Sequence, residues 1–445
     1  MPFLATQDLC PMRFSFQILK SVGRIGGMFI YSIALLFLMM WNGILAYLMV
    51  AKGNMIDFGI FYYTAQAFLN GQDMYTASPV TLAPVNPLFW MHFGNLNPPH
   101  FHFLLLPLAW LSPAWALSLW TVMNLVAFAG SLLLVAKELK IRLPPWAGAL
   151  LILAFLGFSG TGFLILTGQM TFLLLPWLTL AWIKARQGHW TQAGIYLGIA
   201  MSLKLFLLLF LAYFLIRGQV RSAAVACGVM SFCYFTGMMV FGLESYQSWL
   251  STLQTVDWPA LATNASFLGF LSRTFSESPQ FAPVLVLSAV RPIWLLGIGL
   301  IALITLWVIK HDRSPFAVDR AFALILISAL LISPLGWIYY LFLPLGPCTA
   351  LIVSWRRSMP EIQSGHRSPW KWAQFIAIGV SLPGLFLPYQ LSDLWQPNPM
   401  ATLWLANCYF WTLLSLWIVL LVDWKNAQPR PAFSMSQSVP LGSTR

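Results

Sequence analysis

The chain has 445 residues, 59% of them AVILMFWYC and only 8% Asp, Glu, Lys or Arg, with a mean hydropathy of +0.76. A soluble domain is roughly one quarter charged, so this composition excludes an ordinary soluble fold and calls for a bilayer. The net charge of +12 does not indicate nucleic-acid binding, because the lysines and arginines punctuate the gaps between apolar runs instead of forming one basic soluble face.

At about 20 apolar residues per spanning helix, the length accommodates on the order of a dozen spans. The apolar runs are continuous and not alternating, which excludes a transmembrane β-barrel and predicts an all-α polytopic membrane protein. Cys10, Cys227, Cys233, Cys348 and Cys408 are scattered along the chain, with neither a disulfide framework nor a metal-site spacing.

In chain order, residues 1–25 carry Arg13, Lys20 and Arg24 ahead of the first apolar run at 26–50, which predicts a cytoplasmic N-terminus. That run is too long for a cleaved signal peptide and lacks an A-x-A-like site. No lysine or arginine occurs from Gly53 to Ala136, so residues 51–112 are expected outside. Within them, DFGIFYYTAQAFLNGQDMY reads as a juxtamembrane helix stopped at Gly71. The 11-residue piece Phe101–Leu111 after NLNPPHFHF is too short to span and is expected at the interface.

Lys137, Lys140 and Arg142 return the chain to the inside, and runs at 146–166 and 169–183 go out and back to Lys184 and Arg186. The stretch 190–216 is basic at both ends, holds Lys204 at its centre and is too short for two full spans. A hairpin of two short or broken helices with Lys204 near its outer tip restores charge agreement downstream. Runs at 220–242, 287–309, 318–333, 335–354, 371–390 and 401–423 follow, with a second external segment at 243–286 and a polar, Pro- and Ser-rich tail at 426–445 predicted to be disordered and cytoplasmic. This assignment places 20 of the 24 basic residues inside and leaves Lys52, Lys204, Arg273 and Arg291 at or near the outer face.

Several residues in the external segments have chemical potential. Asp57, at the outer end of helix one between Ile56 and Phe58, is either a partly desolvated general base or the acidic cap of its helix. Lys204 in GIAMSLKLFLLL either holds an anionic lipid phosphate or snorkels to the surface. Gly168-Gln169 closes a tight turn, where the glutamine is placed to donate to sugar or phosphate oxygens. Asn264 to Arg273, NASFLGFLSR, offers an amide and a guanidinium, the latter for bidentate phosphate contact or for pairing with Glu277. Ser333-Pro334 with Trp337, Tyr339 and Tyr340 reads on its own as an interfacial aromatic belt. His92, His100 and His102 share the first external segment, but Pro98-Pro99 and the lack of a well-spaced third ligand argue against a metal site. Charge topology, which is independent of these motifs, puts Asp57, Gln169, Lys204, Arg273 and the Ser333-Pro334 turn on one external face.

These elements, in order, resemble glycosyltransferase family 87: Asp57-Phe58 with Tyr62, Tyr63, Ala67, Gly71 and Tyr75; Pro98-Pro99 before Leu106-Pro107-Leu108; Gly168-Gln169; Lys204; Asn264-x-Ser266 with Arg273; and Ser333-Pro334-x-x-Trp337. The resemblance covers about residues 30–350. It implies a GT-C-type bundle of about 12 transmembrane helices at 26–425 with external juxtamembrane helices, like the actinobacterial polyprenol-phosphate-mannose-dependent α-1,2-mannosyltransferases. It further implies an inverting transfer of a mannose-like hexose from a polyprenyl-phosphate donor to a glycolipid or glycan acceptor at the extracytoplasmic face of a bacterial plasma membrane, without a cofactor or metal. Asp57 maps onto the family's base. Lys204 and Arg273 become the donor-phosphate candidates, and Tyr62, Gln169, Asn264, Trp337 and Tyr340 the substrate-binding ones.

Two departures stand out. Ile338-Tyr339-Tyr340 occupies the place where family members often carry a histidine, and Asn97 precedes Pro98 where an aromatic is frequent. A tyrosine hydrogen-bonds but carries no positive charge at neutral pH, which leaves the donor type and catalytic arrangement open. A polytopic transporter or flippase is the alternative, favoured by the broken hairpin around Lys204 and disfavoured by the absence of related halves. An inactive assembly subunit that retains the fold is a third.

Overall fold

A computed structural model describes residues 56–75, 94–256, 258–278, 280–358 and 398–427, with isolated positions within 32–40 and 379–387. The N-terminal segment and most of the first apolar run, His92, most of the run at 371–390 and nearly all of the tail lie outside the described residues.

Leucine-, phenylalanine- and tryptophan-rich sequence interrupted by Pro and Gly yields helices of unequal length. They are α1 (Ile56–Leu69), α2 (Pro113–Glu138), α3 (Pro145–Gly157), α4 (Ser159–Thr167), α5 (Thr171–Arg186), α6 (Trp190–Leu203), α7 (Leu209–Ile216), α8 (Val220–Gln254), α9 (Phe267–Phe275), α10 (Val290–His311), α11 (Ala317–Ile332), α12 (Leu345–Ser358) and α13 (Cys408–Ala427). Proline opens α2 and α3 in the first turn, where its missing N–H has no intrahelical partner to lose. Short 3-10 turns occupy Pro99–Leu104, Leu205–Leu208 and Ile338–Phe342. Among the described residues there is no β-strand, only an isolated antiparallel bridge between Asn264 and Trp337.

Among the described residues, four helices are long and apolar enough to cross a membrane: Pro113–Glu138, Val220–Gln254, Val290–His311 and Cys408–Lys425. The chain is a membrane protein, and its described residues are helical with no strand. The other apolar runs within the described residues are short or broken instead of full spans. The run expected at 146–166 is two helices, because Phe158 adopts extended backbone (φ −69°, ψ 132°) between α3 and α4. The run expected at 220–242 continues to Gln254, bending at Gly242 (φ 78°, ψ 158°), so the segment 243–286, expected outside, opens with helix. The Phe101–Leu111 piece does not span: Pro99 to His102 are buried in the protein while Trp110 is 79% exposed.

The hairpin expected around Lys204 is present. α6 stops at Leu203, and Lys204 is extended (φ −140°, ψ 105°) before the chain turns into α7. Trp190, at the start of α6, lies 6.2 Å from Tyr213, near the end of α7, so the two limbs are antiparallel. Gly194 and Gly198 lie against the backbones of Ser222 and Ala226 respectively, so α6 and α8 run in the same direction, as the reversal requires.

Alternation of direction gives the bundle two chemically distinct ends. At one, Arg186 bonds Asp319 (2.5 Å) and Glu138 (3.1 Å), and Trp182 Nε1 donates to Asp319 at 2.8 Å. Arg320, 1% exposed, is held by Asp312, by Ser314 at 2.9 Å and by Asp423 at 2.6 Å. These bonds gather the ends of α2, α5, α10, α11 and α13 where Lys184, Arg217 and Lys310 also lie. The other end carries the turn before α5, the tip at Lys204 and the loop after α11. α5, 16 residues long, separates the two by about 24 Å at 1.5 Å per residue. α11 is the centre: residues from Asp319 to Leu331 are buried on every face, so a helix apolar all round sits inside the bundle.

Candidate active site

The site is built from the turn up. Thr167 ends α4, and Gly168 takes the left-handed conformation (φ 69°) that closes the turn into α5. A Cβ at Gly168 would stand 2.6 Å from the Phe58 Cβ, and the Gly168 carbonyl accepts from Trp120 Nε1 at 2.7 Å. Only glycine lets α1 approach so closely. That contact places Asp57, one residue before Phe58, beside the turn, where Gln169 Nε2 donates to Asp57 Oδ2 at 2.7 Å.

Asp57 faces a cavity of about 1040 Å³ that Gln169, Lys204, Asn97, Trp337, Tyr339 and Tyr340 also line. Burial pushes the Asp57 carboxyl up to about 6, opposed by hydrogen bonds from Gln169 and Thr167 and by the charge of Lys204. Lys204 Nζ donates to Asn97 Oδ1 at 2.7 Å and lies 5.8 Å from the Tyr340 ring centroid. The Tyr340 ring lies tilted 4.9 Å from Phe206, next to the tip, and Tyr339 packs edge-on to Tyr340 at 4.7 Å. The farther wall is aromatic and aliphatic, with Trp249, Trp258, Trp294, Leu253 and Ile332. Trp294 Nε1 is buried without a hydrogen-bond partner.

Five expected site residues therefore meet in one cavity: Asp57, Gln169, Lys204, Trp337 and Tyr340. Three do not. Tyr62 is 1% exposed and points away, its hydroxyl donating to the Leu111 carbonyl at 2.7 Å. Asn264 is fully buried, its amide donating to the carbonyls of Pro259 and Pro334 and accepting from the N–H of Ser266 and Gly336. All its hydrogen-bonding capacity welds the loop before α9 to the loop after α11. Arg273, also fully buried, donates to Asn407 Oδ1 at 2.9 Å and to the carbonyls of Leu261 and Asn264 at 2.5 and 2.9 Å. It neither reaches the cavity nor pairs with Glu277. An arginine satisfied by neutral oxygens inside the protein is a structural brace.

His100 and His102 are likewise committed to protein partners. His100 Nε2 faces the Ser202 carbonyl at 3.0 Å and its Nδ1 the Tyr246 hydroxyl at 2.9 Å. His102 Nε2 faces Asn95 Nδ2 at 2.9 Å and its Nδ1 the Pro99 carbonyl at 3.2 Å. Burial drives their pKa values down to about 4 and about 3 respectively, so both rings are neutral.

Asn97 and Thr167 are site residues the sequence reading did not single out. Asn97 entered only as a departure before Pro98; the signal available was an amide immediately ahead of a Pro-Pro stop, which fixes an extended loop.

A membrane protein with a carboxylate, an ammonium and aromatic walls around one cavity is equipped to bind a polar, partly apolar substrate. The model of Glycosyltransferase family 87 matches residues 95–334, more than half of the chain. The chain belongs to that family and is a membrane glycosyltransferase. No curated protein matches it. The matched segment contains Asn97, Gln169 and Lys204; Asp57, Trp337, Tyr339 and Tyr340 come to the same cavity from outside it.

Proposed function

We propose that this protein is an inverting, GT-C-type hexosyltransferase that moves a mannose-like sugar from a polyprenyl-phosphate donor to a glycolipid or glycan acceptor, with Asp57 as general base. The observation that carries this reading is the meeting of Asp57, held by Gln169, with Lys204 in one cavity at the end of the bundle opposite the Arg186–Asp319 and Arg320–Asp312 ion pairs.

The chemistry follows from these groups. An acceptor hydroxyl is a poor nucleophile until its proton leaves, and a carboxylate with a pKa near 6 is ionised at neutral pH yet basic enough to take it. The acceptor oxygen forms a bond to the anomeric carbon as the bond from that carbon to the donor phosphate oxygen breaks. The proton goes to Asp57, and the electron pair leaves with the phosphate, beside the Lys204 ammonium. One displacement inverts the anomeric centre. Gln169 fixes Oδ2 and so orients the carboxylate. Trp337 and Tyr340 supply faces for packing against a sugar ring or an isoprenoid.

Positive residues gather at the far end of the bundle, which supports a cytoplasmic location for that end and an extracytoplasmic one for the cavity in a bacterial plasma membrane. Family membership supports an enzyme over a transporter.

The test incubates purified protein in nanodiscs with radiolabelled polyprenyl-phosphate hexoses and native membrane lipids, and asks which label appears in product. Asp57→Asn is expected to retain donor binding and lose transfer by roughly 10²–10⁴-fold. Transfer by Asp57→Asn at the wild-type rate would end the assignment.

A further inference from the structure

Lys204 ends a chain of hydrogen bonds whose direction is fixed throughout. Its ammonium has donors only, so Asn97 must present its oxygen, at 2.7 Å. The Asn97 Nδ2 then donates to Asn95 Oδ1 at 3.2 Å, joined there by the Asn97 backbone N–H at 3.0 Å. Asn95 turns its own nitrogen to Thr64 Oγ1 at 3.0 Å and to His102 Nε2 at 2.9 Å. His102 Nε2 must therefore accept, which puts its proton on Nδ1, facing the Pro99 carbonyl at 3.2 Å. The two ends agree: an ammonium that only donates and a carbonyl that only accepts demand the same polarity along the chain.

The links are buried. Asn95, Asn97 and His102 are 5%, 3% and 0% exposed, so water does not substitute for a lost partner at low cost. The Tyr75 hydroxyl also donates to the Asn97 carbonyl at 2.7 Å, anchoring its backbone. Asn97 contributes an oxygen and no charge. A carboxylate there would pair with the ammonium and cancel it, whereas the amide holds Lys204 in place and leaves its positive charge available.

We propose that Asn97 is the positioning residue for Lys204, aiming its ammonium into the cavity, and that Asn95 and neutral His102 set the orientation of Asn97. That the ammonium then meets a donor phosphate rests on the hexosyltransferase reading; its placement by Asn97 does not. The groups facing Lys204 are Asp57 from α1, the Tyr340 ring from the turn after α11 and Asn97 itself.

The experiment measures reductive methylation of Lys204 by formaldehyde and cyanoborohydride against pH, read by peptide mass spectrometry, in wild type, Asn97→Leu and Asn97→Asp. Donor KM and kcat are measured in parallel. Loss of the acceptor in Asn97→Leu disfavours the ammonium and moves the labelling curve to lower pH. Asn97→Asp favours it and moves the curve to higher pH. A shift of one pH unit appears as about a tenfold change in free amine at fixed pH. In Asn97→Asp the paired charge raises donor KM with a smaller change in kcat. If Asn97→Leu does not fold, the isosteric Asn97→Asp decides alone. Curves that superimpose for the folded variants overturn the proposal. Curves that move as stated while wild type transfers no polyprenyl-linked hexose uphold the placement of Lys204 and reject the donor reading.

Discussion

The Gln169 side chain donates to Asp57 Oδ2 at 2.7 Å across 112 residues of sequence, joining a helix outside the matched family segment to a turn inside it. The bond sets both the aim and the basicity of the carboxylate. A hydrogen bond to the charged form lowers a carboxyl pKa, here against the stronger effect of burial.

Transfer is accordingly expected to rise with pH through about 6, because Asp57 acts only when deprotonated and burial has moved that transition up from 3.8. In Gln169→Leu the same limb moves to higher pH, since the ionised form loses a donor. The pH profile of kcat/KM in the two proteins checks this; a common midpoint would exclude Gln169 as the tuning group.

Gly168→Ala adds a methyl where φ is 69° and Phe58 Cβ would be 2.6 Å away. Left-handed strain costs about 1–2 kcal/mol, and the clash pushes α1 from the turn. Asp57 moves with α1, so turnover is expected to fall more than thermal stability does. Comparison of Tm with kcat decides the point: a variant with lowered Tm and intact kcat shows that the turn tolerates displacement.

Arg273→Gln separates a brace from a phosphate ligand. With three oxygens left short of a charged donor in the interior, the loss is expected to be roughly 2 kcal/mol or more, with donor KM unchanged in the protein that folds. A raised donor KM at unchanged Tm would restore the phosphate role.

Arg320→Met strands Asp312 and Asp423, 1% and 6% exposed, without their cation. Removing one partner from a buried ionic cluster costs about 3–5 kcal/mol, and the cluster is the far end of the bundle from the cavity. Denaturation in detergent is expected to show the full loss, while the folded fraction keeps its KM. Replacing Asp312 and Asp423 by Asn in the same protein should return much of the stability.

Membrane residence, helical class and the segregation of basic residues were legible in the sequence, since each depends on composition and on the spacing of charges between apolar runs. So was the break at Lys204: a basic residue amid short apolar limbs, flanked by basic clusters, has few arrangements that keep charge out of hydrocarbon. Asp57, Gln169 and Lys204 were legible as sharing a face, because topology alone carries them there. Residue order also carried the likeness to the family that residues 95–334 match.

Which side chains at that face enter the cavity was decided by the tertiary structure. Arg273 and Asn264 have the right chemistry and lie on the right face, yet the loops before α9 and after α11 consume their hydrogen bonds; Asn97, marked in the sequence only as a departure before Pro98, turns its oxygen to Lys204. Charge periodicity specifies the end of a bundle at which a residue lies, to within a turn or two. The direction of a side chain is set by partners a hundred residues away, through bonds of about 3 Å that depend on packing, and no local pattern encodes those.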